Sequence, residues 1–231
     1  MLNGGRWQKI ETVCDRLIMW GASDQCRVNY PILKELGCKV QALVDDTPNK
    51  ISPLDGIPLF IGVECFGDYL KTIDVSGLGF VVAIGNPYGH VRLRLHDFLK
   101  ELGLLPISFA DPTASICKSV LYGEGLQVMP FALIHNDVVI GRECIINTRA
   151  LVYHDCKLED GVEIGPGAVL CGRVSVGEGT WIGANATVRQ RINIGSNSII
   201  GAGAVVVADI PDNVVVAGVP AKIIKENIVY E

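Results

Sequence analysis

The sequence predicts two architectures in series: an α/β domain over residues 1–111 and a three-sided parallel β-helix of hexapeptide repeats over residues 112–231. Three observations predict it. From Ile116, every sixth residue falls on Ile116, Tyr122, Val128, Ile134, Ile140, Ile146, Val152, Leu158, Ile164, Leu170, Val176, Ile182, Val188, Ile194, Ile200 and Val206. Fifteen of these sixteen are Ile, Leu or Val, types that make up 72 of the 231 residues, so chance would give about a third. Four places after each aliphatic stands a small or apolar side chain, as at Ala132, Val138, Cys144, Ala150, Cys156, Ala168, Ala186, Ser198 and Ala204. Before Asp111 the pattern changes, and short apolar runs alternate with amphipathic stretches.

In chain order, residues 16–21 (RLIMWG) read as a strand, 28–36 as a helix and 39–46 (KVQALVDD) as a second strand. Residues 79–86 (GFVVAIGN) form another strand, 91–102 a helix and 105–109 a last strand. Strand and helix in alternation predict a parallel sheet with helices packed on it. Asp111-Pro112 marks the boundary, and the first fifteen residues receive no element. Beyond it, each unit offers one large and one small inward side chain. Glycine often follows the aliphatic directly, at 123, 141, 165, 177, 183, 195 and 201, where it is expected to take the unusual backbone angles of the bend. Three units make one triangular coil of about 18 residues. Coils stack at the strand spacing of roughly 4.8 Å, and sixteen units give a little over five coils.

Composition excludes several classes. A net charge of −5 argues against a nucleic-acid binder or a basic membrane-surface protein. No window holds 18 uninterrupted apolar residues and the start lacks an apolar signal core, so neither a transmembrane span nor a signal peptide is expected. The eight cysteines include no CxxC pair, which points to free thiols in a reducing cytoplasm.

Five segments carry a family resemblance: 18–23 (IMWGAS), 43–46 (LVDD), 82–86 (VAIGN), 146–155 (INTRALVYHD) and 217–222 (AGVPAK). Together with the repeat they resemble the sugar O- and N-acetyltransferases of the hexapeptide superfamily. That family includes the sialic acid O-acetyltransferases and the nucleotide-amino-sugar N-acetyltransferases of bacillosamine and perosamine type. The resemblance runs from about Arg16 to the end. It implies a Rossmann-like N-terminal domain, a left-handed β-helix, acetyl-CoA as co-substrate without a metal, a sugar nucleotide or free sugar as acceptor, a homotrimer, and a place in surface-glycan biosynthesis.

Acetyl transfer to an amine or hydroxyl needs a base, a group that orients the base, and donors for the oxyanion. The chain has four histidines, and only His135 and His154 lie in the repeat; His90 and His96 fall in the helix predicted over 91–102 or at its start. His154 follows the inward Val152 by two residues, which places it at a coil edge, and Asp155 follows it directly. One coil away stand Asn136 on one side and Gly172 on the other. The glycine leaves room and a bare N–H beside the imidazole. The resemblance gives His154 as general base, Asp155 as its support and Asn147 in the site. It also implies Gly172, Ala202 and Gly218 as acetyl-CoA contacts, and only Gly172 has the geometric argument above. Relatives often carry Glu at the Asp155 position and a second histidine, thought to contact acetyl-CoA, where this chain has Glu163. Cys156 and Cys171 sit at or beside inward positions and read as packing rather than as acyl carriers.

After the first strand, Gly21-Ala22-Ser23-Asp24-Gln25-Cys26 lacks the spaced glycines of a dinucleotide site. Relatives use this loop, which includes Ser23, to bind the acceptor, with Gly-His-Gly where this chain has Asp24-Gln25-Cys26. Asp45 and Asp46, ending the second strand, are placed for hydrogen bonds to a nucleotide, and Asn86 points to the same cleft. That pair favours N-acetylation of a nucleotide-linked amino sugar over O-acetylation of a sialic-acid type sugar. Two other functions fit poorly. A β-helix carbonic anhydrase needs three histidines around a metal, and a non-catalytic prism needs regular Thr or Ser arrays.

Overall fold

A computed structural model describes residues 7–8, 10 and 14–228. The rest of the expected N-terminal domain and residues 229–231 lie outside the described residues. The architecture is an α/β domain followed by a left-handed parallel β-helix, as expected.

In the first domain, β1 (Trp7–Gln8) stands apart and pairs antiparallel with Ser115–Cys117 at the start of the β-helix. The domain's own sheet contains β2 (Arg16–Trp20), β3 (Lys39–Asp45), β4 (Leu59–Ile61), β5 (Gly79–Val82) and β6 (Leu105–Pro106). All five are parallel in the order β4-β3-β2-β5-β6. Strands buried on both faces suit runs such as Leu17-Ile18-Met19, each 0% exposed. The helices α1 (Asp24–Glu35), α2 (Gly62–Leu70) and α3 (Gly89–Glu101) connect them. Sequence patterning does not show β4 and α2, and α1 begins four residues before the expected start. The order reverses at β2, whose neighbours are β3 and β5. In such sheets ligands sit beyond the carboxyl ends of the strands at that reversal.

The β-helix consists of short strands, most of them two residues long, in three parallel sheets. One face, here face A, carries Ser115–Cys117, Leu133–Ile134, Leu151–Val152, Val169–Leu170, Thr187–Val188 and Val205–Val206. Face D begins at Leu121–Tyr122 and ends at Asn193–Ile194; face C runs from Phe109–Ala110 to Val214–Ala217. Face C thus takes up its first strand before Asp111, since Phe109–Ala110 pairs with Gln127–Val128. Each strand pairs with one 18 residues on, as Leu133 does with Leu151 and Leu151 with Val169, so the ladder is in constant register. From Val128 to Val206 every sixth residue is no more than 3% exposed. Burying such a side chain is worth about 1.5–3 kcal/mol. Tyr122, the exception in the series, is 39% exposed. The last coil is two residues short, because Ile194 bridges Ile210 and Ile199 pairs with Val215.

The bends correct one expectation. The glycines directly after the aliphatics do not supply the unusual angles. Positive φ falls two places later, at Gly125, Phe131, Asp137, Glu143, Arg149, Asp155 and onward every sixth residue to Gly203. Nine of these fourteen residues carry side chains, so the stacked ladder holds them in a region L residues seldom visit. The other glycines are needed for space. A Cβ on Gly141, Gly165 or Gly183 would come within 2.7 Å of the next coil's backbone.

The α/β domain covers face C. Gln127 and Ile145, outward on that face, are buried. Gln127 donates to Val82 O at 2.8 Å and accepts from Asn29 at 2.9 Å. Arg92, fully buried on α3, donates to the carbonyls of Glu143, Gly161 and Ile84. His96 on the same helix meets Glu143 at 2.8 Å and Glu124 at 3.2 Å.

Candidate active site

His154 lies on the edge that leads from face A to face D, two residues past the buried Val152. Its ring is partly exposed. Nδ1 meets Asp155 Oδ2 at 2.6 Å, and Nε2 has no hydrogen-bond partner among the described residues. A carboxylate can only accept, so in the neutral ring the proton sits on Nδ1 and Nε2 carries the lone pair. This is the tautomer of a base. Asp155 occupies a bend with φ 57°, which turns its side chain back to the ring. Its carboxyl is held below the usual range, first by the hydrogen bond to His154 and with help from Arg173, 3.7 Å away.

Gly172 lies one coil further on. A Cβ there would stand 2.5 Å from His154 Nε2, so only glycine leaves the imidazole its place. Together with Tyr153, Cys171, Arg173, Gln190 and Arg191 these residues line a groove of about 460 Å³. The two guanidinium groups suit the phosphates of a long anionic ligand. Tyr153 packs on His154 with ring centroids 4.7 Å apart and on His135 at the same distance. His135 also contacts Asn136. Cys156 turns Sγ to Cys171 O at 3.1 Å, and burial pushes its thiol up to about 11, which agrees with packing. All eight cysteines are free.

A second cleft, about 530 Å³, opens beyond the carboxyl ends of β2, β3 and β5. Ser23, Asp45, Asp46 and Asn86 all line it, with Asp24, Gln25 and the exposed Tyr88. The two aspartates differ in kind. Asp45 is 8% exposed and accepts from Ala22 N–H, Thr47 N–H and Lys50 Nζ. Burial alone would raise its carboxyl, but Lys50 and the two amides outweigh burial and lower it to about 2. Lys50 also donates to Ser23 Oγ at 2.6 Å. Asp45 therefore fixes the loop after β2, while Asp46 remains exposed at the cleft. Patterning does not reveal Lys50, because its partners lie up to 27 residues away.

The remaining residues occupy the edge between faces C and A. Asn147 follows Ile146 there, and Ala202 and Gly218 lie on the same edge further along the column, each two residues past its inward aliphatic. Asn147 and Asn86 both donate to Glu163, which is buried in the seam between the domains. Within one chain, then, Asn147 shares Glu163 with Asn86 of the second cleft, and His154 with Gly172 stands on the opposite edge of face A. Among the described residues no group of three His, Cys, Asp or Glu is arranged to hold a metal. No helix among them is long and apolar enough to cross a membrane.

The family model "Bacterial transferase hexapeptide (six repeats)" matches residues 137–172 and 173–208. A comparison with curated proteins gives no match. Among solved structures, a histidine-to-alanine variant of GDP-perosamine N-acetyltransferase from Caulobacter crescentus, in complex with CoA and GDP-perosamine, is 36% identical. The similarity covers 90% of this chain and 95% of that one, with a TM-score of 0.81. The acetyltransferase domain of PglB from Neisseria gonorrhoeae, with acetyl coenzyme A, is 32% identical over 91% of this chain and 100% of that one, TM-score 0.80. WeeI from Acinetobacter baumannii is 25% identical over 90% and 99%, TM-score 0.75.

Proposed function

This chain belongs to the hexapeptide-repeat sugar acetyltransferases, and from that membership we propose that it moves the acetyl group of acetyl-CoA to the amine of a nucleotide-linked amino sugar. The observation that carries the reading is the His154–Asp155 pair seated over Gly172, with Nε2 facing a groove. As the sugar nitrogen attacks the thioester carbonyl, Nε2 of His154 takes its proton and Asp155 steadies the imidazolium. Backbone N–H groups at Gly172 receive the developing oxyanion. Collapse breaks the C–S bond, forms the amide, and releases CoA with a proton returned from His154.

The acceptor cleft and the base lie on opposite edges of face A, so one chain does not complete the site. Face A turns Leu133, Leu151, Val169 and Val205 outward, half-buried and without a covering domain among the described residues. A threefold built on that apolar strip brings the His154 edge of one prism beside the Asn147 edge of the next. The working form is accordingly a homotrimer. Acetyl-CoA lies between two prisms, reaching Gly172 on one and Ala202 and Gly218 on the other. Ser23, Asp46 and Asn86 hold the nucleotide sugar, and the enzyme works in the reducing cytoplasm, a reading its free thiols support.

The test is a panel of GDP-, UDP-, dTDP- and CMP-sugars with acetyl-CoA, followed by free-thiol release. Release with an amino sugar is expected. Release only with hydroxyl sugars, or with none, would overturn the assignment.

A further inference from the structure

Among the buried carboxylates that the mechanism leaves unused, Glu163 adjoins the acceptor cleft. The Glu163 side chain is 2% exposed, and its Oε1 accepts from Asn86 Nδ2 at 3.0 Å and from Asn147 Nδ2 at 3.1 Å. Its Oε2 has no hydrogen-bond partner among the described residues and lies 3.5 Å from Arg92 Nη1. Arg92 cannot swing away, because three carbonyls hold it at 2.7–3.1 Å. Burial pushes the Glu163 carboxyl up, and Arg92 and the two amides oppose that shift.

The two bonds to Oε1 fix the direction of two side chains. Each asparagine turns its NH₂ toward Glu163, and its carbonyl oxygen must face the other way. Neither oxygen has a partner among the described residues. Asn86 lines the acceptor cleft, and Asn147 reaches the same Glu163 oxygen beside it. Asn86 on the cleft wall and Asn147 beside it thus leave two carbonyl oxygens free to accept. A primary amine brings two N–H donors to such a pair and keeps its lone pair for attack, whereas a hydroxyl brings a single donor.

We propose that Glu163, acting through Asn86 and Asn147, makes this cleft select an amine over a hydroxyl at the reacting carbon of the acceptor. The proposal rests on the reading of this cleft as the acceptor site. Glu163 is a positioning residue in it, and both asparagines touch the substrate. In Glu163→Gln the carboxamide oxygen faces the fixed Arg92 guanidinium, so its NH₂ comes to the node, which turns one asparagine round and replaces an acceptor by a donor.

The experiment uses the full-length protein and matched nucleotide sugars that differ only by amine or hydroxyl at one carbon, beginning with GDP-perosamine. Calorimetry reads binding, and thiol release reads transfer separately. The wild-type protein is expected to prefer the amine, and Glu163→Gln to lose roughly ten- to a hundred-fold of that preference while hydroxyl-sugar binding stays constant. A crystal structure of the wild-type protein fine enough to separate amide N from O needs no variant, and should show both NH₂ groups toward Glu163. Equal binding of the pair by wild type, a preference unchanged in Glu163→Gln, or a carbonyl turned to Glu163 would overturn the proposal. Amine-selective binding without transfer would sink the assigned reaction and leave the selectivity standing.

Discussion

Replacing Gly172 by alanine tests the geometry at the base with a single methyl group. The added Cβ would lie 2.5 Å from His154 Nε2 and 2.6 Å from Cε1. Ordinary contact between such atoms is about 3.5 Å, so the ring must retreat by about 1 Å. It has room to do so, because one side faces the open groove. The retreat strains the 2.6 Å bond to Asp155 and moves the lone pair off the line of proton transfer. A misplacement of that size costs about a hundred-fold in rate. The backbone at Gly172 does not have positive φ, so alanine brings no conformational penalty there. Acetyl transfer, followed by thiol release under saturating acetyl-CoA, should fall about a hundred-fold in kcat with the melting temperature nearly unchanged. Wild-type kcat in Gly172→Ala would refute the placement of the base. A fall matched by loss of folding would refute the claim that the glycine serves the imidazole rather than the coil.

Two further predictions follow from other parts of the structure. Leu151→Asp puts a charge in the middle of the apolar strip of face A, so light scattering should report a monomer and thiol release should be lost. A trimer of full activity would contradict the assembly. Asp45→Asn removes the acceptor of Lys50 and two amides, and should cost about 1–3 kcal/mol at neutral pH. The folded-state carboxyl is lowered from 3.8 to about 2, so its stabilisation is complete above pH 4 and is lost as pH falls through about 2. Urea unfolding of the two proteins should therefore converge across that window; a gap unchanged at pH 2 would show that the charge at Asp45 is not what stabilises the loop.

The β-helix was legible because its signal is periodic. An inward ladder fixed every sixth residue, and the spacing alone put His154 at an edge with Gly172 one coil away. What escaped were features that periodicity does not encode. Positive φ at Phe131, Glu143 and Arg149 is imposed by the stacked coils on residues with no preference for it, so the glycines drew attention to the wrong position of the unit. The loss of two residues before Ile210 leaves no mark in composition. The α/β domain was read where strands were long and apolar, but β4 has only three half-buried residues and passed unseen. Long-range polar pairing was hidden altogether. Arg92 with Glu163, His96 with Glu143, and Asn86 with Glu163 join residues 47 to 77 positions apart, and none forms a motif. The resemblance put Asn147 in one site with His154, and within one chain the fold sets them on opposite edges of one face.

The central claim concerns the imidazole at the prism's edge, and His154→Ala tests it most directly. With the nucleotide amino sugar that the wild-type protein acetylates, kcat/KM should fall by at least a hundred-fold, in the range typical for loss of a general base. Circular dichroism and acetyl-CoA binding should stay as they were. A variant that transfers acetyl at more than about a tenth of the wild-type rate would mean that another group takes the proton.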